Sequence, residues 1–407
     1  MLREGCARTR RLPSRAVFSR RTDWELSPNA LARALASRRA AERGVVDLTI
    51  TNPTGVGLGH PPSFFAGLVG PDSGSYEPEP LGLRRARGEI AEYYRSRGCA
   101  CHESAVWTCA STSEAMAWLL ALLCDPGDAV LVSRPGYPLV DYLAAISGVR
   151  LLHYPLRYDG RWRVDREALE AVLRGEPRVR AIFATSPGNP TGAVLSQAEL
   201  EELETACAAR GLALVVDEVF ADYPHAPDAV FAGSALGQRA CLCFVLSGLS
   251  KVALLPQLKL GWGVACGPTA LVEPALERLA LIADSFLSVS TPAQLAVGRA
   301  LAGAAPLQRR VRARVRENLA ALRQAVAGGA ASVCGSEGGW AAILRLPAVA
   351  GLDDEGWALA FLEQGVAVHP GGLYDLDGCH AVVSLLVEPE AIRAGAKVLA
   401  REVAARV

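Results

Sequence analysis

Short apolar runs alternate with amphipathic helical stretches along the middle of the chain. Val179–Thr185 and Leu212–Val216 have the composition of buried strands. Between them, Ser196–Arg210 has a helical pattern that begins with a Ser-x-x-Glu capping box. Because strands that alternate with helices favour parallel pairing, the pattern predicts an α/β domain with a mostly parallel sheet.

Three polar positions follow predicted strands of this sheet. Asn189 lies in a loop rich in proline and glycine after one strand, and Asp217 ends the next strand. Lys251 lies between two further predicted strands, Ala240–Leu246 and Leu260–Cys266. Since ligands bind beyond the carboxyl ends of parallel strands, we expect these three side chains to meet at one edge of the sheet.

The patterns outside this region predict a second, smaller unit and an unusual N-terminus. Residues 1–21 are rich in arginine, which is typical of a targeting presequence, a disordered extension or a start assigned too early. The predicted organisation is an extension (1–21), an N-terminal segment that joins the small domain (22–60), a large domain (61–300), a bridging helix (301–330) and a C-terminal small domain (331–407).

The composition is that of an ordinary globular protein, since 51% of the 407 residues are hydrophobic and 21% are charged. The formal net charge is zero, so nothing indicates a nucleic-acid or membrane partner. Eleven cysteines at scattered spacings favour a reducing cytoplasm over a disulfide framework. Cys99-x-Cys101-His102 has no second pair at ligand spacing, so no metal site is expected.

Lysine is scarce in this chain. Of the 42 lysine and arginine residues, lysine occurs only as Lys251, Lys259 and Lys397. A guanidinium group stays protonated, whereas a lysine in a desolvated site can supply a neutral amine that attacks a carbonyl. The use of lysine at position 251, beside a Ser/Gly turn, is therefore consistent with a chemical role, and composition alone leaves a surface lysine at a strand end as an equal alternative.

Three motifs carry a resemblance to a known family: Asn189-Pro-Thr-Gly, Asp217-Glu, and Ser247-Gly-Leu-Ser-Lys251 with Lys259 eight positions later. In this order and at these separations, the chain from about Asp23 to its end resembles the fold-type I pyridoxal-phosphate enzymes of the class I/II aminotransferase family. The resemblance implies a large domain with a mostly parallel, mixed seven-stranded sheet flanked by helices. It also implies a smaller α/β domain.

The resemblance also implies roles around the cofactor ring. Lys251 would form a Schiff base with pyridoxal 5'-phosphate and later move the substrate Cα proton. Asp217 would keep the pyridine nitrogen protonated, which makes the ring an electron sink. Asn189 would donate to the ring's O3′, and Tyr137 would stack on the ring face.

The cofactor phosphate is expected at a helix start. The amides of Thr112 and Ser113 would bind it, because backbone N–H groups at a helix N-terminus attract anions. The same resemblance implies that this phosphate site also includes Ser247, Ser250 and Lys259. Tyr76 from a partner subunit would also reach the phosphate, which implies a homodimer with shared active sites.

Three positions depart from the family pattern. Lys259 and Phe220 stand where an arginine and a tyrosine are usual, and Val382 replaces the arginine that reads the substrate carboxylate. Either another cation binds a carboxylate, or the substrate lacks one, or the reaction differs. The candidate cations are His60, Arg134, His369 and Arg345.

The expected function is therefore transfer of an amino group between an amino acid or amine and a 2-oxo acid. A lyase, decarboxylase or oxidase/cyclase reaction on the same cofactor is the alternative, and a non-catalytic sensor of pyridoxal phosphate is a more remote one.

Overall fold

Fourteen strands form three sheets in this computed structural model, which describes residues 17–66, 68, 70–227, 229 and 231–407. Residues 1–16 of the predicted arginine-rich extension lie outside the described residues. The strands are β1 (Val46–Asp47), β2 (Val106–Cys109), β3 (Ala129–Arg134), β4 (Arg150–Tyr158), β5 (Trp162–Val164), β6 (Val179–Thr185), β7 (Ala213–Asp217), β8 (Cys243–Gly248), β9 (Gly261–Cys266), β10 (Ser332–Val333), β11 (Ala341–Arg345), β12 (Val366–Ala367), β13 (His369–Pro370) and β14 (His380–Ser384).

Helices separate most of the strands along the described chain. They are α1 (Ala30–Ala40), α2 (Pro62–Ala66), α3 (Arg84–Arg95), α4 (Thr112–Leu123), α5 (Leu139–Ser147), α6 (Arg166–Gly175), α7 (Gln197–Ala208), α8 (Leu249–Val252), α9 (Thr269–Phe286), α10 (Thr291–Leu295), α11 (Val297–Ala302), α12 (Ala304–Val326), α13 (Asp354–Glu363) and α14 (Pro389–Arg406).

The large sheet has the strand order β2-β9-β8-β7-β6-β3-β4-β5. Its centre is parallel from β8 to β4, and the edge strands β2, β9 and β5 pair antiparallel. The prediction of a mostly parallel, mixed sheet is confirmed. The described sheet has eight strands rather than seven, because β4 continues into a hairpin with β5.

Both faces of this sheet are covered by helices. Along β7, Leu214 and Val216 pack into one apolar core, while Ala213 and Val215 pack into another. Such burial on both faces is the reason that β7 reads as a continuous apolar run in the sequence.

The C-terminal part of the chain forms a second sheet with the order β10-β11-β14-β13, and β1 pairs with β12 beside it. A separate apolar core joins this part to helix α12, through residues such as Val311, Leu322, Trp357 and Leu399. Strand β1 brings the N-terminal segment onto this C-terminal part of the chain, in parallel register with Val366 and Ala367.

Candidate active site

The carboxyl ends of the parallel strands open into one cavity of about 620 Å³. Asp217 ends β7, and Lys251 lies in the one-turn helix α8 directly after β8. Both side chains line the cavity together with Asn189, Tyr137 and Thr112. The structure therefore brings together five of the residues selected from the sequence, although their individual roles remain predictions.

The amine of Lys251 lies beside two aromatic rings that pack against each other. Its Nζ is 5.0 Å from the ring centroid of Trp340 and 5.8 Å from that of Phe220. Burial lowers the pKa of Lys251 from its usual value, and the negative charge of Asp217 opposes that shift. The lowered pKa increases the fraction of neutral amine near neutral pH, and the neutral amine is the nucleophilic form.

Asp217 is a buried carboxylate, with 7% of its surface exposed. One of its oxygens accepts a hydrogen bond from the Val219 amide at 3.0 Å. Burial raises the pKa of Asp217 to about 6, against the lowering effects of that hydrogen bond and of Lys251. A cationic N–H placed in the cavity beside this carboxylate would stabilise its ionised form.

The neighbouring Glu218 makes no such contact with the cavity. Its carboxyl group accepts hydrogen bonds from Ala235 N and Ser234 Oγ, the latter at 2.7 Å. Burial nevertheless raises the pKa of Glu218 to about 8. Glu218 is therefore largely protonated at neutral pH, next to a carboxylate that titrates lower.

This raised pKa predicts a pH dependence of stability. The pKa of an unfolded glutamate is about 4.3, so the folded chain holds an extra proton from there up to about pH 8. The contribution to the free energy of unfolding is complete below the unfolded pKa. It is lost as the pH rises toward the folded pKa, with a slope of up to about 1.4 kcal/mol per pH unit. We expect Glu218→Gln to flatten this slope in urea denaturation series between about pH 5 and pH 8. An unchanged slope would contradict the assignment.

The loop that contains Asn189 is fixed against the segment before β11. Gly192 has a φ of +64°, and a Cβ there would lie 2.6 Å from the carbonyl oxygen of Gly338. The Gly192 carbonyl accepts hydrogen bonds from the amides of Glu337 and Gly338. Because that segment leads directly to Trp340, the Asn189 loop and the ring beside Lys251 are held in one arrangement.

The N-terminus of helix α4 lies at the other side of the site. Ser111 caps this helix by accepting from the Glu114 amide at 3.1 Å. A Cβ on Gly261 would lie 3.2 Å from Thr112 N, and one on Gly248 would lie 3.0 Å from Gly261 Cα. The two glycines therefore let β8 and β9 pack closely, with β9 lying backbone to backbone against the helix start.

One polar atom near this junction has no hydrogen-bond partner. Ser247 is 1% exposed, and its Oγ is buried without a donor or acceptor in the structure. A buried hydroxyl without a partner is costly, at roughly 1–3 kcal/mol, unless a further group satisfies it. The N–H groups at the start of α4 and this hydroxyl are together the donor types that a phosphate needs.

The remaining predicted phosphate ligands do not line the cavity. Ser113 and Ser250 are half-buried. Lys259 follows a short turn, is exposed, and has a φ of +51°. Tyr76 is 73% exposed, which leaves its side chain available to another molecule. For these four residues the predicted contacts with the cofactor stay predictions.

Of the four candidate cations for a substrate carboxylate, His369 lines the cavity, and its Nδ1 lies 2.9 Å from the Tyr374 hydroxyl. Burial lowers the pKa of His369, which favours the neutral ring. Elsewhere, the Nε2 of His60 contacts the Ala253 carbonyl at 2.7 Å, and Arg134 pairs with Asp375 at 2.7 Å.

The fourth candidate cation, Arg345, is exposed on β11. Val382 is 2% exposed and packs among Trp162, Ile343 and Tyr374, so this position is part of an apolar cluster.

Trp340 and Arg39 are two of the cavity residues that sequence reasoning did not select. Trp340 lies over Lys251, and the only local sign of it is the preceding Gly-Gly pair, which permits close packing. Arg39 of helix α1 also lines the cavity and pairs with Asp47 at 2.9 Å. In the sequence, Arg39 is one of several arginines in a helix and carries no distinguishing signal.

Within the described residues, no group of three or more His, Cys, Asp or Glu side chains is placed to hold a metal ion. No helix in the part of the chain that the structure describes is both long and apolar enough to cross a membrane.

Residues 77–386 match the model of a family described as aminotransferase class I and II. This chain belongs to the class I and II aminotransferase family. The matched residues contain the Asn189 loop, Asp217 and Lys251, so the family assignment rests on the same region as the cavity.

Curated relatives of this aminotransferase-family chain include the glutamate-pyruvate aminotransferase AlaA of Haemophilus influenzae. It is 29% identical over 270 residues, which cover 65% of this chain and 66% of that protein. The arginine-pyruvate transaminase AruH of Pseudomonas aeruginosa is 31% identical over 259 residues, 63% of each chain. The chain thus spans slightly less than two thirds of the length of these relatives.

Solved structures show the same fold along nearly the whole chain. An aminotransferase from Escherichia coli superposes with a TM-score of 0.82 at 24% identity, and the match covers 92% of this chain and 95% of that one. The alanine aminotransferase from Pyrococcus furiosus gives a TM-score of 0.84 at 22% identity, with coverage of 96% and 100%. At these identities the likeness concerns the fold alone.

Proposed function

We propose that this chain is a pyridoxal-phosphate-dependent aminotransferase that moves an amino group between an amino acid or amine and a 2-oxo acid. The observation that carries the proposal is the shared cavity of Lys251, Asp217 and Asn189 in a chain of this family. A half-buried lysine with a lowered pKa beside a buried carboxylate is an arrangement suited to amine chemistry.

The residues present fit pyridoxal phosphate. Lys251 would hold its aldehyde carbon and Asp217 its ring nitrogen, while Asn189 and Tyr137 would contact the ring. The helix start at Thr112 and Ser113 would bind the phosphate, with Ser247, Ser250 and Lys259 as further ligands. When bound, the cofactor would supply an electron-withdrawing ring that stabilises negative charge at the substrate Cα.

The protein side of the reaction follows from the described geometry. Lys251 can hold or release a proton at Nζ, because burial brings the pKa of its amine toward neutrality. Asp217 supplies a fixed negative charge at the cavity wall. Because the residue is buried, the electrostatic interaction of this charge with groups in the cavity is stronger than it would be in water. Trp340 and Phe220 exclude water from the side of the amine.

We also propose a homodimer with shared active sites. The exposed Tyr76 supports this, since its side chain has 73% of its surface free in the single chain. In a dimer the Tyr76 hydroxyl would reach the phosphate site of the second copy.

The missing phenol at position 220 leads to a prediction for the variant Phe220→Tyr. The Phe220 ring lines the cavity and packs edge-on against Trp340 at 5.3 Å. A new hydroxyl there could donate a hydrogen bond to a phenolate oxygen of the cofactor and favour its charged form. The pH midpoint of the visible absorbance of the loaded protein should fall by roughly one unit. A midpoint that rises or stays constant would show that Phe220 does not face that oxygen.

Loading of the wild-type protein tests the proposed function. Purified protein incubated with pyridoxal phosphate should gain a visible absorbance band, and borohydride should fix the cofactor covalently. Peptide mass spectrometry should then place it on Lys251 rather than on Lys259 or Lys397. A protein that stays colourless in excess cofactor would contradict the proposal.

A further inference from the structure

The turn that carries Lys251 is held by side chains from three distant parts of the chain. The carbonyl of Lys251 accepts the hydroxyl of Tyr223 at 2.6 Å. The carbonyl of Val252 accepts Gln308 Nε2 at 2.8 Å, and that of Ala253 accepts His60 Nε2 at 2.7 Å. Because a carbonyl oxygen can only accept, the hydrogen of the His60 ring lies on Nε2.

The turn that contains Lys251 needs hydrogen-bond donors from outside the turn. Helix α8 has only four residues, so the carbonyls at its end have few partners within the helix. Leu254 follows with a φ of +57°, a left-handed conformation that costs a non-glycine residue about 1 kcal/mol or more. Val252 and Ala253 are 1% and 0% exposed, so water cannot readily replace a missing donor at their carbonyls.

The three donors reach the turn from separate elements. Tyr223 lies in the loop after β7 and is 1% exposed, and Gln308 lies on helix α12 and is 3% exposed. His60 belongs to the N-terminal segment. None of the three lines the cavity, so each can act on a substrate only indirectly, through the residues that it holds in place.

We propose that Tyr223, Gln308 and His60 form a carbonyl clamp that positions Lys251, with Tyr223 as its principal positioning residue. The chemical role of Lys251 rests on the proposed function, whereas the clamp concerns only the conformation of the turn that contains Lys251. Side chains from elsewhere in the chain then act together with the turn's own hydrogen bonds to set the orientation of the amine.

Tyr223 is the principal positioning residue because it also holds the Trp340 ring beside the amine. Its ring lies 4.9 Å from that of Trp340, and its carbonyl accepts the Gly339 amide at 2.9 Å. Trp340 in turn lies 5.0 Å from Lys251 Nζ. One residue therefore fixes both the main chain of the lysine and the aromatic wall against which its amine packs.

The experiment compares Tyr223→Phe with Tyr154→Phe in the full-length chain. Tyr154 is a matched control, because it is also 1% exposed and donates its hydroxyl to a main-chain carbonyl, that of Phe183, at 3.3 Å. Since lysine occurs only three times, selective ¹³Cε-lysine labelling gives three NMR signals. The Lys251 signal can then be titrated without any cofactor, and cofactor uptake is followed separately by visible absorbance.

We expect Tyr223→Phe to raise the pKa of Lys251 by about half a unit or more. An amine that is held less firmly is better hydrated, and hydration favours its charged form. It should also slow uptake of pyridoxal phosphate by about tenfold, as a misplaced reactive group does. Tyr154→Phe should leave the Lys251 pKa within about 0.3 unit, and the uptake rate within about twofold, of wild type. Gln308→Met, which removes a donor and keeps the side-chain length, should move both in the same direction as Tyr223→Phe.

Two results would overturn the clamp. In one, Tyr223→Phe and Gln308→Met keep the wild-type Lys251 titration and uptake rate. In the other, all three variants change both quantities equally, which would indicate general loss of stability. If the wild-type chain takes up no pyridoxal phosphate, the proposed function fails, but the cofactor-free titration still decides whether the clamp positions Lys251.

Discussion

Lys251→Ala is expected to abolish turnover and covalent retention of pyridoxal phosphate while the fold persists. Lys251 is the one lysine that lines the cavity among the described residues, and its surroundings lower the pKa of its amine. Loss of a group that both attacks a carbonyl and carries a proton costs on the order of 10⁴-fold or more in rate. Amino-transfer assays and the visible absorbance of the loaded protein measure the two effects.

Two further variants make this prediction specific. Lys397→Ala removes an exposed lysine on α14 and should behave as wild type. Lys251→Arg keeps the positive charge but supplies no neutral amine, so it should be as inactive as Lys251→Ala. Substantial activity in Lys251→Arg would show that position 251 acts only as a charge, and the account of the site would be wrong.

Asp217→Asn is expected to reduce turnover by about 10²–10³-fold, the scale of losing one fixed charge in a buried site. Asparagine keeps the size of the side chain and its contact with the Val219 amide, but it removes the negative charge that faces the cavity. The cofactor should still be retained on Lys251, because that attachment does not need the Asp217 charge. Rates with a saturating amino donor, together with the absorbance of the loaded protein, separate these two effects.

Glu218→Gln is the matched control for Asp217→Asn. The two carboxyl groups are neighbours in sequence and are both buried, but Glu218 contacts Ser234 and Ala235 rather than the cavity. Turnover by Glu218→Gln should remain within about threefold of wild type, since the group is already largely uncharged at neutral pH. Equal losses in both variants would mean that the effect comes from a damaged core rather than from a missing charge.

The sequence predicted those features that depend on local pattern. Asn189, Asp217 and Lys251 each follow a parallel strand, and parallel strands place their carboxyl ends at one edge, so their meeting could be anticipated. The mostly parallel sheet followed from the alternation of apolar runs and helices, whereas its mixed character was implied by the family resemblance. The hairpin strand β5 was missed, because three residues carry too little periodicity.

Features that depend on distant contacts could not be read from the sequence. Gln308 lies in an arginine-rich helix and Tyr223 in an irregular loop, and neither position indicates that its side chain ends on the carbonyls around Lys251. Trp340 lies 89 positions after Lys251, and only the docking of the segment before β11 onto the Asn189 loop brings it to the amine. Tertiary packing, rather than local propensity, determines these contacts.

The proposed reaction requires an amino group to pass from a donor to a cofactor that would be held by Lys251. The most direct measurement incubates the loaded protein with single amino acids or amines and no 2-oxo acid, and then analyses the products. We predict loss of the visible band with pyridoxamine phosphate and the donor's oxo product released in equal amounts. Release of ammonia or carbon dioxide, with the cofactor still in its aldehyde form, would contradict amino transfer and would instead indicate a lyase or a decarboxylase.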